Sequence, residues 1–197
     1  MEILVIATHP NIKESRVNKV WIENLKKESN ITVRFLDEIY EDIKKIDIEK
    51  EKKILEKAER VVFQFPFYWY SMPALMREYF DKVLQFGWAY GPRGDVLKGK
   101  EFLVALSVGA PEYSYMGGSY NNFTITELLR PLEATANAIQ MVYLPYFALF
   151  DIPRLSDDDI VESTRKYIKH INNEDINHRK FLERLKKENK ESSFIVL

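Results

Sequence analysis

A chain of 197 residues with 29 basic and 30 acidic side chains carries a formal net charge of −1 and no cysteine. That length suits one α/β domain, which buries roughly 70% of the extended chain's surface. The balanced charge gives no footing for a nucleic-acid partner, and the missing thiols exclude disulfides, thiol nucleophiles, thiolate zinc sites and iron–sulfur clusters.

The N-terminus, MEILVIATHP, holds an apolar run too short for a signal-peptide core or a membrane span, so a soluble, cytoplasmic protein without membrane insertion is expected. Within it Ile3–Ala7 is continuously apolar, as in a strand covered on both faces. After a polar loop, Ser15 opens a helix with Val17, Val20, Trp21 and Leu25 at helical spacing, and Ile31–Leu36 alternates as a second strand. Glu49–Arg60 reads as a charged helix burying Ile54, Leu55 and Ala58. Val61–Phe65 is a third strand stopped by Pro66, and Pro73 sits in the first turn of a helix carrying Leu75, Met76, Tyr79, Phe80, Val83 and Leu84. Phe102–Val108 is a fourth, buried strand. Thr124 starts a helix with Ile125, Leu128, Leu129, Leu132 and Thr135, and Gln140–Leu144 is a fifth strand. Ser156 caps a helix that begins Asp157-Asp158-Asp159 and ends near Ile171. From Glu174 the chain adds a helix and a short apolar tail, Ser192–Leu197. Its basic residues (Arg179, Lys180, Arg184, Lys186, Lys187, Lys190) read as a solvated face. Residues 1–172 therefore form the domain, and residues 173–197 are an appendage without independent fold.

Strands alternating with helices imply a parallel sheet with helices on both faces, and ligands bind such sheets beyond the carboxyl ends of the strands. Composition points the same way. All seven glycines lie between Gly87 and Gly118, and most aromatic residues lie between Phe63 and Phe150.

The first of the three loops at that edge, Thr8 to Asn18, contains no glycine, which excludes the dinucleotide fingerprint and the Walker loop. Hydroxyl, imidazole and amide groups at a helix N-terminus suit a phosphate there, against the plainer reading that Ser15 is a cap alone. His9 has no second histidine at ligand spacing, so no metal site is expected, and no G-x-S-x-G elbow supports a hydrolase. In the second loop, Phe67-Tyr68-Trp69-Tyr70 follows a buried strand directly. Four consecutive aromatics cannot all face a core, so some line a cleft, a dimer interface, or both. The third loop, Ser107 to Asn122, begins with small residues that let backbone approach a ligand. Together the loops describe a pocket for a phosphorylated planar cofactor, and flavin fits best.

The string from Phe65 to Leu84, with Gly87-Trp-Ala-Tyr-Gly, Leu97-Lys-Gly-Lys, Gly109-Ala-Pro-Glu-Tyr and Glu127-Leu-Leu-Arg-Pro-Leu-Glu-Ala-Thr-Ala, resembles the flavodoxin-like NAD(P)H:quinone oxidoreductases. That family includes mammalian quinone reductases, potassium-efflux ancillary proteins and bacterial general-stress oxidoreductases. The resemblance spans roughly residues 1–170. It implies a flavodoxin-like five-stranded sheet of order 2-1-3-4-5 and a homodimer with FMN or FAD. It assigns the flavin phosphate to His9, Ser15, Val17 and Asn18. The isoalloxazine falls to Pro66, Phe67, Tyr68, Trp69 and Tyr70, and its pyrimidine edge to Ser107, Val108, Gly109 and Ala110. Tyr115 matches a catalytic tyrosine, and Trp88 and Tyr90 match aromatics that cover the partner's substrate. The implied chemistry is ping-pong: NAD(P)H delivers hydride to flavin N5 and leaves, then a quinone takes its place. One departure is Asn121, where the mammalian enzymes have a histidine, so a tyrosine–histidine proton relay is absent or rebuilt. The rival reading is a regulatory flavoprotein docked on a potassium-efflux transporter. A flavodoxin-type electron carrier ranks third.

Overall fold

Ile3–Ala7 (β1), Arg60–Pro66 (β3) and Glu101–Ser107 (β4) are buried at every residue. In the computed structural model, which describes residues 1–40 and 45–188, they form the middle of a parallel sheet with Ile31–Phe35 (β2) at one edge. Alternate side chains leave opposite faces. Leu4, Ile6, Val61, Phe63, Phe65, Phe102, Val104 and Leu106 enter one apolar cluster. Ile3, Val5, Ala7, Val62, Leu103 and Ala105 enter the other. Covering both faces is what makes a continuous apolar run stable as a strand.

On the first face lie Ile48–Lys57 (α3), Ala74–Val83 (α4) and Arg130–Ala138 (α6), after two one-turn helices, Leu36–Ile39 (α2) and Ile125–Leu128 (α5). On the second lie Asn18–Leu25 (α1) and Asp157–Asn172 (α7). These two are tied by the buried Trp21 indole, which donates to Ser163 Oγ at 2.9 Å. Ser163→Ala leaves that N–H without an acceptor and is expected to cost about 1–3 kcal/mol, read as a lower urea midpoint with an unchanged slope.

The order β2-β1-β3-β4-β5 is the expected one, with one refinement. The fifth position is filled by two segments, Val142–Tyr143 (β5) and Phe147–Leu149 (β6), both parallel to β4. Pro145 lacks the N–H needed to continue the ladder, and its carbonyl is instead 3.0 Å from His170 Nε2. Similarly, the helix expected from Thr124 onward is broken at Leu129, because Pro131 starts a new helix in its first turn. Arg60, placed in a helix by spacing, instead begins β3.

Two sheet edges matter. At the carboxyl edge, Pro66 pairs with Ser107 and Ser107 with Leu149, so the three loops emerge side by side. At the opposite edge, Arg60 faces Glu101 across β3 and β4, Nε to Oε2 at 2.7 Å. That pair holds the start of the appendage. Arg60 Nη1 donates to the carbonyls of Ile171 and Asn173, while Asn177 and Lys180 donate to Glu101 Oε1 at 2.7 and 2.9 Å. The last helix, His178–Glu188 (α8), follows directly; Lys190 and the tail from Ser192 lie outside the described residues.

Candidate functional site

The first loop is shaped by its own polar groups. The His9 N–H donates to Asp37 Oδ2 at 2.9 Å, and Asn11 N–H donates to His9 Nδ1 at 3.1 Å. With Nδ1 accepting, the neutral ring carries its proton on Nε2, and burial holds the His9 pKa below its usual value. Ser15 Oγ accepts from Asn18 N–H at 3.0 Å, but the helix starts only at Asn18 with Val17 at the cap position, so Ser15 braces the helix start without capping it. The Ser15 hydroxyl proton remains available to a ligand.

Buried polar links join this loop to the sheet. Asn18 Nδ2 donates to Ser107 Oγ at 2.7 Å, Gln64 Nε2 to Asn18 Oδ1 at 3.3 Å, and Tyr167 OH to Gln64 Oε1 at 3.2 Å. Sequence reasoning missed Gln64, although one amide inside the apolar run Val61–Phe65 was a visible signal. The second and third loops are joined by Phe67 N–H donating to the Ser107 carbonyl at 2.9 Å.

Together these links shape a cavity of about 480 Å³ lined by His9, Ser15, Val17, Asn18, Pro66, Phe67, Tyr68, Ser107 and Gly109. Asn11, Glu14, Arg16, Ile152 and Pro153 also line it, and the sequence had not singled them out for it. Arg16 is turned to Leu155 and Asp157, bonding at 2.9 and 2.7 Å, so it braces the wall. Val108 is fully buried beneath the cavity, and the Ala110 carbonyl accepts from Asp151. A larger cavity, about 730 Å³, opens at the β5–β6 edge beside Arg130, Tyr143, Tyr146 and His178; it contains none of the predicted site residues.

The loop backbone supplies unused donors. Among the described residues, the N–H groups of Arg16, Val17, Gly109 and Ala110 make no hydrogen bond, and the buried Thr8 hydroxyl has no partner. Gly109 has open space within 4 Å of where a Cβ would point. Unpaired donors around an open cradle suit a ligand with phosphate and ring-edge acceptors.

Of the aromatic residues, Phe67 and Tyr68 line the cavity, whereas the predicted Trp69, Tyr70 and Tyr115, like Val108 and Ala110, lie outside its lining. Trp69 and Tyr70 have φ of +48° and +61°, and their turn is closed by Tyr68 and Ser71 bonding each other's backbone at 3.1 and 2.9 Å. Trp69 is 93% exposed. Tyr115 packs between Phe67 and Phe150, centroids 6.1 and 6.0 Å away, and burial raises its pKa, with Tyr70 adding to the shift. Asn121, the departure from the family pattern, accepts from Tyr70 OH at 3.1 Å.

Trp88 and Tyr90 lie beyond the far end of α4, about 15 Å along its axis from the aromatic turn. Within one protomer they do not join the cavity. Trp88 is held in place, donating to Glu56 Oε1 at 3.0 Å with Lys52 Nζ 5.5 Å from its ring. Tyr90 is open to solvent and meets Phe86 edge-on at 5.7 Å.

A parallel sheet of order 2-1-3-4-5 with a polar, glycine-free first loop and an aromatic second loop defines a flavodoxin-type α/β protein. The chain belongs to the family described as having a flavodoxin-like fold, which matches residues 1–171. An uncharacterized NAD(P)H oxidoreductase, YdeQ, of Bacillus subtilis (strain 168) is 47% identical over 188 residues, 95% of each chain. The glutathione-regulated potassium-efflux system ancillary protein KefF of Enterobacter sp. (strain 638) is 37% identical over 84% of this chain and 92% of its own. Among solved structures, general stress protein 14 of Treponema denticola, in complex with FMN, superposes with a TM-score of 0.83 at 35% identity. That match covers 87% of this chain and 98% of the other. A thermophilic tryptophan halogenase of Streptomycin violaceusniger gives 0.84 at 45%, covering 86% and 98%.

Proposed function

We propose that the protein is a cytoplasmic, homodimeric, FMN-dependent NAD(P)H oxidoreductase that reduces quinones or similar acceptors. The observation that carries this reading is the convergence of three loops on one cavity, with unpaired backbone donors at two ends and aromatic rings between. Bound FMN would supply the two-electron chemistry, taking hydride from reduced nicotinamide and passing it to the acceptor. The free N–H groups of Arg16 and Val17 and the Ser15 hydroxyl would hold the phosphate, with neutral His9 beside it and the buried Asn18 fixing the loop through Ser15, Ser107 and Gln64. Pro66, Phe67, Tyr68 and Tyr70 would flank the ring, and the Gly109 and Ala110 N–H groups would offset negative charge at its pyrimidine edge. Tyr115, packed against Phe67, would offer a free phenol donor toward it. Tyr90, with Trp88 behind it, would cover the partner's site, which fits their distance from their own cavity. Among the described residues no helix is long and apolar enough to cross a membrane.

The likeness to the KefF ancillary protein supports a second reading, a regulatory subunit docked on a potassium-efflux transporter. One experiment orders the two. Flavin released by heat should be FMN rather than FAD, and the bound flavin should bleach with NADH or NADPH and recover with a simple quinone. Bleaching by neither nicotinamide removes the enzyme reading, and co-purification with a transporter then favours the subunit. Chlorination of tryptophan by the reduced protein supplied with chloride and dioxygen would move the assignment to the halogenase class.

A further inference from the structure

We propose that Asn121 is a positioning residue that locks the Tyr70 phenol as a hydrogen-bond acceptor on the aromatic turn that follows the cavity-lining Tyr68; this rests on the oxidoreductase reading above. Proton counting gives the direction. The Pro111 carbonyl carries no proton, so the Ser114 hydroxyl must donate to it, at 2.7 Å. Ser114 Oγ can then only accept from Asn121, which places the amide nitrogen on that side at 2.8 Å. The amide oxygen is left facing Tyr70 at 3.1 Å, and the phenol must donate to it. A phenol has one proton. Tyr70 therefore shows only lone pairs to anything else.

Asn121 itself is 9% exposed, and its amide is bonded at both ends inside the protein. It acts on a ligand through Tyr70 and not by contact. The backbone shows why a latch is needed. Trp69 and Tyr70 are consecutive bulky residues at positive φ, in a two-residue turn that ordinarily selects Asn-Gly. The bond to Asn121 is the one side-chain hydrogen bond that ties these two residues to another loop among the described residues.

Beside the accepting phenol stands a donating one. The Tyr115 hydroxyl makes no hydrogen bond among the described residues; Tyr115 directly follows Ser114, the residue Asn121 bonds on its other side, and its ring packs against Phe67 of the aromatic loop. An acceptor and a donor side by side match a primary carboxamide, whose N–H would meet Tyr70 and whose carbonyl would meet Tyr115. Reduced nicotinamide carries that group. An acetyl group in the same place has the carbonyl but no N–H, so it cannot satisfy Tyr70.

The test compares Tyr70→Phe, Asn121→Ala and the double variant with the wild-type, FMN-loaded protein. Wild type should show a KM for reduced nicotinamide about tenfold below that for its 3-acetylpyridine analogue, with kcat little changed, and each single variant should erase that ratio. The double variant should lose no more than either single one. Asn121→His should restore the ratio above pH ~6.5, where a neutral ring nitrogen can accept, and lose it below, where the ring only donates. In flavin-free protein, the Ser71 N–H, bonded to Tyr68 O at 2.9 Å, should exchange about tenfold faster in both single variants. An unchanged analogue ratio, or an effect of Asn121→Ala that Tyr70→Phe does not share, overturns the proposal. If neither nicotinamide reduces the wild-type flavin, the oxidoreductase reading fails, and unchanged Ser71 exchange in the variants still overturns the latch on its own.

Discussion

Replacing Glu101 with alanine is expected to remove about 3–5 kcal/mol of folding stability, because it leaves the Arg60 guanidinium buried and uncompensated. Both side chains are almost fully excluded from water, and Arg60 Nη2 is already buried without a partner. The loss should appear as a lower urea midpoint. The double change Arg60→Met with Glu101→Leu should recover most of it, since apolar replacement of a whole buried pair is often neutral. A single variant within about 1 kcal/mol of wild type would show that solvent or relaxation rescues Arg60. The pH dependence has a definite sign. Burial pushes the Glu101 carboxyl up, but hydrogen bonds from Asn177, Lys180 and Arg60 outweigh it and hold the pKa below the ordinary 4.5. A depressed folded-state pKa contributes stability above the unfolded value and loses it as pH falls through the folded one. The wild-type advantage over Glu101→Ala should therefore be full at neutral pH and shrink below about pH 4.5. Residues 173–188 should gain amide exchange in the variant, because Asn177 and Lys180 lose their acceptor.

That anchor was hidden in the sequence, where Arg60 looked like the last residue of a charged helix and Glu101 lay just ahead of the expected fourth strand. The rest of the sheet was legible because burial on both faces leaves an unmistakable apolar run, as in Ile3–Ala7 and Phe102–Leu106. Boundaries went astray where proline acted through a missing N–H. Pro145 splits the fifth strand position, and Pro131 restarts a helix that apolar spacing alone joined to Thr124. Spacing reports which side faces the core; it does not report which backbone donor has been lost.

The site was legible as residue types and not as connections. His9, Ser15, Asn18, Phe67, Ser107 and Gly109 were singled out separately, and the structure brings them around one cavity. What joins them is the buried chain Ser107–Asn18–Gln64–Tyr167, whose members come from four elements and have no shared spacing. The run Phe67–Tyr70 was read as a cleft or an interface. Its members divide: Phe67 is buried against Tyr115, while Trp69 stands in solvent on a positive-φ turn. The departure at Asn121 resolves in the same way. A sequence shows an amide where a relay histidine stood, and the hydrogen bonds show that both ends of the amide are bonded within the protein.

Gly109→Val tests the cradle most directly, because its consequences for the fold and for the ligand separate. Apart from its two chain neighbours, no protein atom lies within 4 Å of a Cβ built at Gly109, and its backbone is outside the left-handed region that favours glycine. The flavin-free variant should therefore unfold within about 0.5 kcal/mol of wild type, as an unstrained surface substitution does. The same methyl groups would project into the cavity where the ring edge must approach backbone N–H groups. Close approach is what glycine permits there. FMN affinity should fall about a hundredfold or more, equivalent to roughly 2.7 kcal/mol, measured by titrating flavin fluorescence against apoprotein. Riboflavin should lose the same factor as FMN, because the clash is with the ring and not with the phosphate at Val17 and Ser15. Equal affinity in variant and wild type would place the flavin ring away from this loop, and with it the assignment of Gly109 and Ala110 to the charge on its pyrimidine edge.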